Sequence, residues 1–345
     1  FIVSTTTRRC ILSIQNWLMD SHHLLSFYLS ILKRIASIFL TIKRFPFFVT
    51  LFDAIISVYF RFCGLSPCTV DLDDQTTMHF WTTNHRRFDK PGLVIIHGYG
   101  GNSRLQFVRQ VGPLSQCFNL YVPDLLFFGK SFTNRSDRTE LFQARCVCEG
   151  LKRLGVDRFS VYAISYGGFV GYRMAEICPE MVDKVVIVSS GIGCTEDQKG
   201  EQLRKLNRDP RDILLPEKPD DLRLLINLSI YKFDPFKWVP DFLLKEFINV
   251  MCKDYRKEKL ELVEHILAMK ADSDFPILTQ ETLLIWGDQD NVFPVCLAHQ
   301  LQRHLGPKSK LEIIKDTGHA VNVESPDTLN HLIKLFVLGK SKFNG

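Results

Sequence analysis

The chain has 345 residues, 46% of them hydrophobic, enough to fill the core of one large or two ordinary domains, which excludes a disordered or fibrous molecule. Its formal charge of +5 sits in residues 1–62, where Arg8, Arg9, Lys33, Arg34, Lys43, Arg44 and Arg61 face only Asp20 and Asp53. The rest is neutral, which excludes a nucleic-acid footprint spread over the body, and ten scattered cysteines without a CxxC pair read as reduced thiols of a cytosol-facing protein.

Phe1 to Trp17 is rich in Ser and Thr, contains Arg8 and Arg9 and has no acid, a composition that resembles a transit peptide. From Leu24 to Phe62 the sequence is strongly apolar, but Lys33-Arg34, Lys43-Arg44 and Asp53 cut it into runs shorter than the ~18 residues a spanning helix needs. At helical spacing, Ser26, Ser30, Lys33, Ser37, Thr41 and Arg44 form one polar stripe, and Pro46 stops or kinks that helix. Thr50, Asp53, Ser57 and Arg61 form a second stripe on a helix ending at Gly64. Residues 1–66 therefore read as an amphipathic arm, with a membrane surface as its expected partner; the alternative is packing against the body.

Beyond Cys68, short β-rich runs alternate with helical stretches, the pattern of a mostly parallel sheet with helices on both faces. Expected strands are Thr77 to Trp81, Leu93 to Ile96, Leu120 to Val122, Ser160 to Ala163, Lys184 to Val188, Leu283 to Trp286 and Leu311 to Ile314. Residues 194–274, with charged helices broken by Pro210, Pro216, Pro219, Pro235 and Pro240, read as a helical cap inserted into a core of 67–193 and 275–345.

The candidate chemistry starts at Ser165, in Ala163-Ile164-Ser165-Tyr166-Gly167 between an apolar strand and a buried helix. A sharp strand-to-helix turn there projects the hydroxyl above the sheet edge, and the small residues Ala163 and Gly167 suit the close backbone approach. A serine needs a base and an orienting acid. His319 follows the last expected strand, and Asp288 and Asp290 follow the one before, at the carboxyl ends where sites on open α/β sheets are built. His97-Gly98-Tyr99-Gly100-Gly101 follows the strand ending at Ile96. It offers the Tyr99 N–H as one oxyanion donor and the Tyr166 N–H as the other, with His97, Gly98 and Gly100 supporting the loop; each such donor is worth roughly 10²–10³ in rate. The glycines could instead make a plain turn or a phosphate loop, but no Gly-Lys-Ser/Thr follows.

"VIIHGYGG", "YVPDLLFFGKS", "AISYGGFVGY", "IWGDQD" with Pro294, and "DTGHAVNVESP" resemble, in order and spacing, the α/β-hydrolase superfamily from about Cys68 to Phe336. More narrowly the chain resembles plant α/β-hydrolases of unassigned substrate and monoacylglycerol lipase-like members, including in "LLPEKPDDLRLLINLSIYK" of the cap. The resemblance implies an α/β-hydrolase fold and a serine hydrolase cleaving a carboxylic ester, such as a monoacylglycerol, through an acyl-enzyme without metal or organic cofactor. It favours Asp290 over Asp288 as the acid, giving Ser165, Asp290 and His319, and gives Asp124 and Gly129 structural roles. Acyl transfer, carbon–carbon bond hydrolysis on the same triad, and a small-molecule receptor retaining it are the alternatives. Ala320 and Gly100-Gly101-Asn102 depart from the Trp and Gly-Pro-Gly common in carbon–carbon hydrolases.

Overall fold

The computed structural model describes residues 46–206, 208–232, 234–269 and 275–339, with Ser30 and Lys33 as isolated helical positions. The chain divides into two compact units, Phe1–Phe47 and Phe48–Gly345, and the architecture below is that of the second. The transit-like segment, most of the first polar stripe and the end of the expected cap lie outside the described residues.

Helix α1 (Phe47–Phe62) is closed by Gly64, whose φ of +84° suits glycine. An antiparallel pair follows, β1 (Leu65–Asp71) on β2 (Thr76–Thr83). Then come β3 (Gly92–Ile96), α2 (Ser103–Ser115), β4 (Asn119–Pro123), the short β5 (Phe132–Thr133), α3 (Glu140–Arg153), β6 (Phe159–Ile164), α4 (Tyr166–Ile177) and β7 (Val182–Val188). Five helices precede the next strand: α5 (Glu196–Leu206), α6 (Pro210–Leu214), α7 (Pro219–Ser229), α8 (Asp241–Met251) and α9 (Arg256–Ala268). The chain ends with β8 (Glu281–Gly287), α10 (Val295–Leu305), β9 (Ser309–Ile314), α11 (Val321–Glu324) and α12 (Pro326–Leu338).

The strands lie in the order β1-β2-β4-β3-β6-β7-β8-β9, with β5 on β2, and every pairing from β4 to β9 along this path is parallel. All seven expected strands are present, each extended by no more than two residues at an end. Two were not anticipated. β1 contains Pro67 and lies at the sheet edge, where a missing N–H does little harm, and it starts at Leu65, so the expected boundary after residue 66 falls inside a strand. β5 has two residues, too few to show a period.

The central strands are apolar on both faces because both are covered. Val94, Ile96, Val161 and Ala163 join a core with α3 and α4 on one side. Leu93, Ile95, Tyr162 and Ile164 join another with Phe107 and Val111 of α2 and Leu329 and Ile333 of α12. Helix α1 belongs to the second layer: Ile56 and Phe60 are buried there, and the Phe60 ring meets Trp81 edge-on at 5.4 Å. Asp53 and Ser57 of the second polar stripe also face the body, Asp53 through an ion pair with Arg104 at 2.7 Å.

The five-helix insertion between β7 and β8 has a small core of its own, Leu215, Leu222, Leu244, Ile248 and Cys252. It is tied to the sheet domain by polar links. His265 meets Glu140 at 2.9 Å, Arg138 meets Glu261 at 2.8 Å, and the Tyr99 hydroxyl donates to the Lys259 carbonyl at 2.8 Å.

Candidate active site

Ser165 occupies the turn between β6 and α4 with φ +55° and ψ −122°, a left-handed conformation that costs about 1–3 kcal/mol in a non-glycine residue. The surroundings hold it there. Its N–H donates to the Val188 carbonyl, its carbonyl accepts from the Gly168 N–H, and α4 packs so close that larger residues are excluded. A Cβ on Gly167 would lie 2.4 Å from the His97 carbonyl oxygen. Ala163 is accommodated for a reason the motif does not show: a Cβ on Gly171 would stand 2.7 Å from that of Ala163, so the helix gives up a side chain where the strand carries one.

The loops after β8 and β9 bring Asp290 and His319 to Ser165. His319 Nε2 lies 2.9 Å from Ser165 Oγ, and His319 Nδ1 lies 3.0 Å from Asp290 Oδ2. Asp290 Oδ1 accepts from the N–H groups of Val292 and Phe293 at 2.9 and 2.8 Å, so both oxygens of the buried carboxylate are partnered. It assigns the proton on the ring to Nδ1, leaving Nε2 to accept from the serine hydroxyl. Asp288 is turned elsewhere, accepting from the Thr317 N–H at 3.2 Å. The Phe293 ring meets the His319 ring edge-on at 5.5 Å.

The loop after β3 lies beside the serine. Tyr166 opens α4 and Tyr99 leaves β3, and both line the same cavity as Ser165 and His319. The N–H of a first helical residue has no partner within its helix, which leaves that of Tyr166 for an oxyanion. His97 is fully buried: Nδ1 donates to the Gly98 carbonyl at 2.7 Å and Nε2 accepts from the Leu125 N–H at 2.9 Å. That pattern needs a neutral ring, and burial lowers its pKa accordingly. Asp124 anchors the opposite side of this loop, accepting from Ser103 Oγ at 2.6 Å and His79 Nδ1 at 2.9 Å. Burial pushes its carboxyl upward, but the hydrogen bond and charge of His79 and the hydrogen bond from Ser103 outweigh that and hold it at about 2.

Two positioning residues carried no motif. Gln106, at the start of α2, accepts from the Gly98 N–H at 2.8 Å and donates back to the Gly98 and Gly100 carbonyls, so one amide side chain clamps the glycine loop. Glu324 accepts from the Gly318 N–H at 2.6 Å and from the N–H groups of Tyr231 and Lys232, binding the histidine loop to the end of α7. A lone amide or carboxylate has no period or spacing; only its position just beyond the Gly-rich and Gly-His stretches marks either one.

A cavity of about 220 Å³ opens from Ser165 and His319 beneath the insertion. Its walls are mostly aliphatic and aromatic, with Phe169, Leu206, Ile213, Leu228, Ile266 and Phe275 among them. Lys199 is the one Lys or Arg among the described lining residues. Its ammonium is taken up by Glu196 at 3.1 Å and by the carbonyls of Leu267, at 3.0 Å, and Met269.

The pattern described as the Alpha/beta hydrolase family matches residues 93–332. A 2-hydroxy-6-oxononadienedioate/2-hydroxy-6-oxononatrienedioate hydrolase of Pseudomonas sp. is 25% identical over 258 residues, 71% of this chain and 87% of that protein. Among solved structures, a bacterial membrane phospholipase A superposes with a TM-score of 0.70 at 21% identity, over 95% of this chain and 97% of its own. The 2-hydroxy-6-oxo-6-phenylhexa-2,4-dienoate hydrolase of Rhodococcus sp. strain RHA1 gives 0.66 at 20% identity, over 78% and 97%. With its mostly parallel sheet, the site on the strand-end loops and this match over most of its length, the chain belongs to the alpha/beta hydrolase family.

Proposed function

We propose that this hydrolase cleaves a carboxylic ester with an apolar acyl chain, such as a monoacylglycerol or related lipid ester, through an acyl-enzyme on Ser165. The observation that carries the reading is the Ser165–His319–Asp290 hydrogen-bonded chain opening directly onto an apolar cavity. His319 Nε2 accepts the hydroxyl proton as Ser165 Oγ attacks the ester carbonyl, and the developing oxyanion takes the N–H groups of Tyr99 and Tyr166. The imidazolium, held by Asp290, returns that proton to the leaving alkoxide. Water, deprotonated by His319, then releases the acid and restores the serine. No step calls for a metal or organic cofactor.

A second reading, carbon–carbon bond hydrolysis, is favoured by the Pseudomonas relative. The cavity favours the ester. A dicarboxylate such as that relative's name denotes calls for cations facing it, and among the described lining residues the one Lys or Arg is Lys199, already engaged by a carboxylate and two carbonyls.

Purified parent and Ser165→Ala proteins, assayed on p-nitrophenyl esters of increasing chain length and on a 2-hydroxy-6-oxo-dienoate, test both readings. We expect ester turnover that rises with chain length and vanishes in the variant. Dienoate cleavage without ester turnover would replace the reading with the second, and ligand binding without turnover of either would make the chain a receptor.

A further inference from the structure

Helix α1 has two apolar faces, one buried against the hydrolase body and one largely exposed. Ile56 and Phe60 point into the core with Asp53 and Ser57 beside them, while Phe48, Phe52, Ile55 and Phe62 are 51, 53, 56 and 88% exposed. At 100° per residue these four fall within a narrow outward arc opposite the buried set, and Leu51 and Val58 extend the same stripe. The insertion continues the surface: Phe242 of α8, 56% exposed, meets Phe48 edge-on at 6.2 Å, and Trp238 just before it is 78% exposed. An apolar patch of this extent on a folded surface calls for an occupant.

Charge identifies the occupant. The sole acid of α1, Asp53, is turned inward onto Arg104, and Glu246 of α8 is buried and accepts from the Val49 N–H at 2.8 Å. Asp241 is paired with Arg223 at 2.7 Å. Apart from Asp241, whose exposed carboxylate is held by Arg223, the exposed charges on these same elements are the cations Arg61, set 5.6 Å from the centre of the Trp81 ring, Lys237 and Lys245, with the Lys237 ammonium 6.0 Å from the centre of the Trp238 ring. Residues 1–46, which lead into α1, carry six Lys and Arg against Asp20 alone. A second copy seated face to face would bring like charges together, whereas an apolar stripe rimmed by cations and a Trp matches the acyl boundary and head groups of an anionic bilayer.

We propose that the outward face of α1, continued by Phe242 and Trp238, is the surface on which this protein docks to an anionic phospholipid membrane, with its polar side fixed to the hydrolase body. The mode of binding is interfacial: among the described residues no helix is long and apolar enough to cross a membrane.

The test is flotation of the full-length chain with vesicles of phosphatidylcholine mixed with phosphatidylserine, and with phosphatidylcholine alone. The parent is compared with Phe52→Asp/Ile55→Asp, whose substitutions lie on the solvent side and leave the core untouched. Thermal unfolding and fluorophosphonate labelling serve as checks on folding that need no ester substrate. We expect the parent to float with the mixed vesicles and less with the neutral ones, and the variant to lose partitioning at least ~10-fold with an unchanged melting midpoint. Equal partitioning of variant and parent would overturn the proposal and give the membrane contact to residues 1–46. Failure of both to float, with a parent dimer in sedimentation that the variant loses, would overturn it in favour of a second copy. Failure of ester turnover leaves this binding result unaffected.

Discussion

At the carboxyl edge of the sheet, each oxygen of the Asp290 carboxylate and both ring nitrogens of His319 have a partner at 3.0 Å or less, whereas α5 of the insertion buries none of its residues. Each loop of the sheet end leaves a strand paired with its neighbours, and the site side chains on these loops are held by hydrogen bonds. The insertion is held by a five-residue core and a few polar links to the body. The difference teaches a division of labour: the sheet end fixes the reacting groups, and the helices of the insertion supply much of the cavity wall above them.

The contrast can be broken at several points, taken from the largest effect downward. Ser165→Ala should reduce kcat/KM for esters by at least ~10³-fold while leaving the melting midpoint within a few degrees or raising it, since alanine relieves no buried partner beyond His319. Acid unfolding reports the support beneath the oxyanion loop. The Asp124 carboxyl lies near 2 when folded and near 3.9 when unfolded, so it stabilises the fold fully above pH ~4, by about 2 kcal/mol, and loses that contribution as pH falls from ~4 to ~2. Asp124→Asn should therefore lower stability at neutral pH and flatten the acid limb; an unchanged limb in urea titrations across that range would show that the support lies elsewhere.

The elbow offers a paired test. Gly171→Ala should destabilise by roughly 1–3 kcal/mol because its Cβ collides with that of Ala163, and Ala163→Gly in the same protein should return most of the loss. Additive losses in the double variant would mean that the two positions do not compensate. The smallest effect belongs to the seam between the regions. Glu324→Ala leaves the Gly318 N–H without its carboxylate and should lower kcat by about tenfold for short and long esters alike, with KM nearly constant, and Glu324→Gln should restore most of it. A change in KM for long esters alone would place Glu324 with substrate binding instead.

What could be read in advance follows the same division. The seven central strands were legible because continuous apolar runs bounded by turns have a strong signature, and the serine, acid and histidine because each ends or follows such a run. Gln106 and Glu324 were not, because their partners are backbone N–H groups brought near only by the fold. Helix α1 is the instructive case. Its polar stripe of Thr50, Asp53, Ser57 and Arg61 was legible, but not its direction: Asp53 and Ser57 turn inward while Thr50 and Arg61 stay exposed. Arg104, 51 positions from Asp53, decides that, and periodicity within a helix carries no information about it.

The central claim is that Ser165, activated by His319, carries the acyl group. Peptide mass mapping after brief exposure to a fluorophosphonate tests it most directly. The account predicts a single adduct on Ser165, strongly slowed by His319→Ala and absent in Ser165→Ala. Labelling at another residue, or equal labelling of parent and His319→Ala, would contradict it.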